Sequence, residues 1–251
     1  MLSVWKALLL REATFRLFGK RAAWVWLLVE PITHFAFFIF LYTVIRQRTI
    51  GGIDTSVWLI IGLFGYFTFR RTASQVGGAI DSNRALLTYR QVLPFDAMIV
   101  RAILEGLIML FALVIVAFVL ALEGHDIVAD RPLVTLAALF ALWLLGIALG
   151  LNTALLAELA EESRVVLNLM MMPLYFISGV VFPVTALPVQ YRGVFLVNPI
   201  FNALDVARSG FSGYYHATPG ISLGYVYLWA LCSIGVGLLL YRRIRVAVQT
   251  T

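Results

Sequence analysis

The chain has 251 residues, 62% apolar and only 13% charged, against a usual charged share of about 25%. That balance excludes a soluble globular fold, and several runs approach the roughly 20 apolar residues that cross a bilayer. The net charge of +6 does not point to nucleic acid, because the basic residues cluster beside apolar runs on alternate connections, the pattern that orients membrane spans.

In chain order, residues 1–20 are too interrupted to span. Lys6, Arg11, Glu12 and Arg16 break the first apolar stretch, so no secretory signal is expected there. Glu12, Arg16 and Lys20 recur every four residues beside Trp5, Leu8, Leu9 and Phe15, which predicts an interfacial amphipathic helix. Six spans are expected at 22–45, 56–73, 97–122, 133–156, 165–182 and 221–241. The first carries Glu30-Pro31 and His34, and Gly51-Gly52 marks the turn after it. The purely apolar part of the second ends at Phe69, so its helix either continues past Arg70 or sets that residue in a polar cavity.

Residues 70–101 form the longest polar interval. Asp81, Ser82 and Asn83 can each cap a helix start, 84–92 lack Gly and Pro, and Pro94 is expected to stop the helix. This short helix is either a solvated connector or a docking element for a partner. A second polar connection, 158–164, holds Glu158, Glu161, Glu162 and Arg164. Residues 183–220 are too rich in Pro for a plain span and too apolar for a plain loop. Pro183, Pro188, Pro199 and Pro219 divide them into segments at 189–197 and 201–211, read as a re-entrant helical hairpin between spans five and six. Fourteen of the nineteen Lys and Arg fall on one side of this arrangement, which predicts both termini in the cytoplasm and the hairpin outside.

The chain contains no Gly-x-x-x-x-Gly-Lys-Ser/Thr phosphate loop, and His34, His125 and His216 stand apart from one another. An enzyme reading therefore has no constellation behind it, and any ATPase belongs to another chain. Glu105 follows Arg101 by four residues and is read either as neutralised by that arginine or as a proton relay. Glu30 contacts the interfacial helix or lines a cavity. The aromatics of the first two spans are either lipid-facing or a surface for the flat C–H faces of sugars. Glu30 and Glu105 together leave an ion-coupled transporter as an alternative.

These strings, in order, resemble the membrane subunit of ABC-2 type exporters, and within them the capsule polysaccharide export permeases of Gram-negative bacteria. The likeness is carried by Leu10-Arg11-Glu12, Glu30-Pro31, the run 78–87, Arg101 to Glu105, the run 173–179, Phe182-Pro183, Leu187-Pro188, Tyr191-Arg192, Asn198-Pro199 and Arg208 to Phe211. It implies a homodimer in the bacterial inner membrane with two cytoplasmic ATPase subunits, which hold ATP and Mg, so that this chain has no cofactor of its own. A lipid-linked polysaccharide would be passed to periplasmic and outer-membrane export proteins. Residues 81–93 would be the coupling helix, with Asp81, Ser82, Asn83, Arg84, Leu86, Leu87 and Tyr89 at the ATPase and Glu158, Glu161 and Arg164 as a smaller contact. Arg11, Arg16, Lys20 and Glu30 would meet the lipid head or an acidic sugar at a lateral portal. Phe38, Tyr42, Tyr66, Phe67, Arg70 and Tyr175 are the channel candidates, and Pro183, Tyr191, Asn198 and Arg208 the outward gate. Arg70-Arg71 departs from the family pattern, which carries less charge there. Arg70 then faces either the glycan path or the cytoplasm. Related exporters of O-antigen or teichoic acid remain the nearest alternative.

Overall fold

The computed structural model describes residues 2–18, 49–89, 91–160 and 162–250, together with 29, 33, 34, 36, 37, 40 and 41. The described residues are mostly helical: α1 (Leu2–Phe18), α2 (Thr55–Gly77), α3 (Ala79–Ser82), α4 (Arg84–Leu87), α5 (Pro94–Leu122), α6 (Pro132–Ala157), α7 (Ser163–Ile177), α8 (Val189–Leu196), α9 (Pro199–Phe211) and α10 (Leu223–Thr250). A two-residue hairpin, β1 (Thr49–Ile50) and β2 (Ile53–Asp54), turns at Gly51 and Gly52, whose φ angles of 59° and 86° suit glycine.

Three of these helices are long and apolar enough to cross a membrane: α5, α6 and Leu223–Arg243 of α10. At 1.5 Å per residue, α5 reaches about 43 Å, more than a hydrocarbon core of about 30 Å needs. Most of the expected first span lies outside the described residues. The second runs on through Arg70 to Gly77 as α2. Asp54 starts it, accepting N–H groups from Ser56 and Val57, an N-cap the sequence reading did not identify. The expected fifth span is shorter as a helix. It ends at Ile177, where Ser178 and Gly179 turn the chain and Gly179 takes a φ of 62°.

α2 is the buried centre, and α6 is the helix it packs on most. The seam between them is made by small residues. A Cβ on Gly146 would stand 2.7 Å from the Phe69 carbonyl oxygen, and one on Gly150 2.7 Å from that of Ala73. Ala154 continues the four-residue spacing, which lets two backbones approach where lipid supplies no hydrophobic drive. α9 and α10 pack on other faces of α6. Most of α9 is buried, so its polar side chains must find partners inside the protein.

The expected 81–93 helix is broken. Among the described residues only the four-residue turns α3 and α4 form, and Asn83 makes no side-chain capping bond between them. Its amide instead donates to the Ala79 carbonyl and accepts from Arg11. Ile80 and Leu87 are buried, so the segment bends to bury both. Pro94 does not stop a helix but begins one. It sits in the first turn of α5, where a missing N–H costs nothing, and the Asp96 carboxylate accepts the Leu93 N–H at 3.1 Å.

Candidate functional site

The Arg-rich end of the molecule gathers α1, the α3–α4 segment, the start of α5 and the turn after α6. Arg84 is within 3.2 Å of both Asp81 and Glu158, and Arg164 pairs with Asp81. The two polar connections singled out in the sequence are therefore one surface, tied by four charged residues. Asp81, Ser82, Arg84 and Tyr89 are exposed, Leu86 is half-buried, and Asn83 and Leu87 anchor the segment inward. Glu161 lies outside the described residues. A cleft of about 440 Å³ opens beside this surface, between Ala7, Leu8 and Arg11 of α1 and Leu86, Tyr89 and Val92.

The face of α1 that packs on protein carries both apolar and charged residues, Leu8 beside Glu12. Glu12 is buried, with Trp5 and Arg16 half-buried, whereas Leu10 and Phe15 are 55% and 71% exposed. The charged stripe faces protein because its partners are there. Arg16 donates to Glu105 at 2.8 Å and to Gln75 at 2.5 Å, Arg71 donates to the other Glu105 oxygen at 2.6 Å, and Arg101 pairs with Glu12 at 2.6 Å. The expected Arg101–Glu105 pair does not form, since each residue has a partner on another helix. Trp5 donates to Asp96 at 2.7 Å and Arg11 to Asn83 at 3.0 Å. Of the four residues assigned to the lipid head or acidic sugar, Arg11 and Arg16 are thus placed in this joint. Lys20 and Glu30 lie outside the described residues.

Four channel candidates meet at one cleft. Tyr66, Phe67 and Arg70 of α2 and Tyr175 of α7 line a space of about 600 Å³, with His34 at its wall. The Tyr66 and Tyr175 rings lie 5.1 Å apart edge to face, His34 and Phe67 5.2 Å apart, and the Arg70 guanidinium stands 5.8 Å from the Phe67 ring centre. The Tyr66 hydroxyl donates to the Met171 carbonyl, which fixes its ring in the wall. A wall of ring faces with a guanidinium at its edge suits a sugar that also carries negative charge. Phe38 and Tyr42 lie outside the described residues.

At the opposite end, the expected gate residues are scattered in role. Asn198 caps α9 by accepting the Ile200 N–H and donates to Ser178 at 3.0 Å. Arg208 is buried, donating to the Gly179 and Val180 carbonyls at 2.9 and 3.0 Å, with its guanidinium 3.5 Å from the centre of the Trp58 ring. Pro183 begins the 3₁₀ turn 184–186, and Tyr191 is exposed on α8. Nearby, Asp205 accepts from the Tyr215 hydroxyl and the Thr218 N–H. Burial, with Asp205 adding and Arg208 opposing, pushes the Tyr215 hydroxyl above the usual tyrosine value.

Sequence reasoning missed Trp5, Glu12, Arg71, Gln75 and Asp96 as interhelical contacts. The one available signal was the spacing of Trp5, Leu8, Glu12 and Arg16, which puts all four on one face of a helix. Their partners lie roughly 60 to 90 residues away, where no local pattern points.

A family model described as ABC-2 type transporter matches residues 3–212. Polysialic acid transport protein KpsM of Escherichia coli is 32% identical over 247 residues, 98% of this chain and 95% of that protein. Capsule polysaccharide export inner-membrane protein CtrC of Neisseria meningitidis serogroup A is 28% identical, and BexB of Haemophilus influenzae 27%, each over 82% of this chain and 78% of its own length.

Proposed function

This chain belongs to the ABC-2 type transporter family, and from that premise we propose that it is the membrane-spanning permease subunit of an ATP-driven exporter of lipid-linked capsular polysaccharide. In this reading it works in the bacterial inner membrane as a homodimer with six spans per copy and both termini in the cytoplasm. Two copies of a cytoplasmic ATPase bind ATP and Mg and supply the force, and residues 183–220 form the hairpin that faces the periplasmic export proteins.

The observation that carries the reading is the surface made by Asp81, Arg84, Glu158 and Arg164 at the Arg-rich end of the helices, with Asp81 and Arg84 exposed and Glu158 and Arg164 partly buried beside them. It gathers two connections into one polar face, while Ile80 and Leu87 tie that face to the core. A partner that pushes there moves packed helices, which respond as rigid bodies. The bordering cleft at Leu86 and Tyr89 offers room for an inserted side chain. The aromatic cleft at Tyr66, Phe67, Arg70 and Tyr175 then takes the sugar, with ring faces for its C–H surfaces and a guanidinium for its acid groups. The exposed apolar residues of α7, among them Val165, Leu169 and Met172, are the kind of surface a second copy would cover.

The ion-coupled alternative gains nothing from Glu105. Both of its oxygens accept guanidinium N–H groups, from Arg16 and Arg71, which places it in an interhelical salt bridge. Glu30, its other residue, lies outside the described residues.

The test is purification with the ATPase subunit, reconstitution in proteoliposomes, and ATP hydrolysis measured with lipid-linked polysialic acid, an O-antigen glycolipid and a lipid-linked teichoic acid in turn. Stimulation by the acidic capsular glycolipid supports the reading, and preferential stimulation by either of the others moves the substrate to that class. Glycan movement in vesicles lacking ATP and the ATPase would sink it.

A further inference from the structure

Arg16 reaches polar groups on three helices. Its guanidinium meets Glu12 of α1 at 3.4 Å, Gln75 of α2 at 2.5 Å and Glu105 of α5 at 2.8 Å. The charges around it alternate in space, Arg101 to Glu12 to Arg16 to Glu105 to Arg71. Arg101 adds a bond to the Gly78 carbonyl at 3.2 Å, just where α2 gives way to α3. With Trp5 bound to Asp96 and Arg11 to Asn83, α1 is fastened along its length to α2, α5 and the α3–α4 segment.

A cation that receives a lipid phosphate or an acidic sugar must be open to that ligand's approach. The Arg16 side chain is only 10% exposed, and all three of its nitrogens have acceptors. Opening it for a ligand would take a donor from the buried Glu105 carboxylate and another from half-buried Gln75, a cost that buried, hydrogen-bonded charges impose. A planar fork that satisfies three acceptors at once is what arginine supplies and lysine does not.

We propose that Arg16, with Glu12, Arg71, Arg101 and Glu105, is a positioning joint of the transporter rather than a binding site for the lipid head. The joint makes α1 a rigid arm on the adjoining ends of α2 and α5. Displacement of the 79–89 segment is thereby delivered to the outer edge of α1, where Leu10 and Phe15 are exposed. The inference rests on reading the 79–89 segment as the ATPase dock.

The experiment uses the whole transporter, this chain with its ATPase in proteoliposomes and lipid-linked polysialic acid as the probe. Arg16→Lys keeps the charge and loses the fork. It should lower maximal glycolipid-stimulated hydrolysis about tenfold, within the range of about 5- to 150-fold for coupling between sites, with the half-stimulating glycolipid concentration unchanged. Glu105→Gln, which removes no cation, should show the same signature. Copurification with the ATPase should be unaffected in both. Full stimulation in either variant overturns the joint. So does an effect confined to the half-stimulating concentration, which is the mark of a residue that touches glycolipid. Loss of ATPase binding would overturn it too, since Arg16 would then belong to the dock. Should Arg16→Lys fail to accumulate, Gln75→Leu removes one prong and no charge; reduced maximal stimulation supports the joint, and wild-type stimulation overturns it. Absence of glycolipid-stimulated hydrolysis by the wild-type pair overturns the docking reading, and the delivery of displacement through the joint falls with it.

Discussion

At the end of the molecule where α1 sits, separate helices are joined by side chains that meet charge to charge: Arg16 and Arg71 on Glu105, Arg101 on Glu12, Arg84 on Asp81 and Glu158. At the end where α8 and α9 lie, polar side chains are spent mainly on backbone. Arg208 holds two carbonyls, Asp205 an N–H beside a hydroxyl, and Asn202 spans the Leu196 and Asn198 carbonyls and the Ser222 N–H. A side chain bound to a neighbouring backbone fixes one local shape. Long side chains paired between helices make those helices move together, because separating them would leave buried charges without partners. The first arrangement suits an end that receives force and the second an end that must hold its form.

The sharpest way to break that contrast is at the backbone-pinned end. Arg208→Leu leaves the Gly179 and Val180 carbonyls without their donor and empties the face of Trp58. Two such carbonyls, at about 1 kcal/mol or more each, and a desolvated cation–π contact of about 2 kcal/mol give a loss of at least about 4 kcal/mol. We expect little folded protein by size-exclusion chromatography in detergent. Normal yield would mean the 178–180 turn does not depend on that side chain.

Arg84→Glu probes the charged end and should act on function instead of folding. The pair with Glu158 is half-exposed, so its stability contribution is about 0–1 kcal/mol and membrane levels should hold. Export, measured as surface polysaccharide, should fall about 100-fold if like charges now face the partner. The double variant Arg84→Glu with Glu158→Arg restores the internal pair. Recovery shows that the pairing itself matters, and continued failure shows that Arg84 touches the ATPase.

Between the two ends runs the α2–α6 seam. Gly150→Val would press on the Ala73 carbonyl and on Val76, each 2.7 Å from the new Cβ. A cost of about 2 kcal/mol is expected for overpacking of this kind, read as a lower melting temperature in detergent. Gly193→Ala, with nothing within 4 Å of its Cβ, is the control and should hold or raise it, since alanine favours the interior of α8 by up to about 1 kcal/mol.

How much of this was legible depended on the reach of each interaction. α2 could be followed past Arg70, and Tyr66 and Phe67 could each be grouped with Arg70, because residues three and four apart share a helical face. Glu12 and Arg16, four apart, do pair. The same rule failed for Arg101 and Glu105, where partners from other helices took precedence. It failed again at 81–93, where Asn83 was claimed by Arg11 and burial of Ile80 and Leu87 overrode local helix preference. The Gly146, Gly150, Ala154 spacing was present in the sequence and needed only the small-residue rule for membrane helices to be read.

The smallest effect sharpens the contrast from the other side. Tyr215→Phe removes the hydroxyl that donates to Asp205 at 2.5 Å, while the Thr218 N–H still holds the other carboxylate oxygen. One bond lost from a retained pair should cost about 1 kcal/mol, with export unchanged. Because burial raises the Tyr215 value in the folded protein, its contribution is whole below the unfolded tyrosine value and is lost only as pH climbs through the raised one. The melting-temperature gap between wild type and variant should therefore stay constant from about pH 5 to pH 9. A gap that closes inside that window would mean the hydroxyl is not the donor that pins Asp205, and the stiffness of this end would have to come from Arg208 and the α9 cap alone.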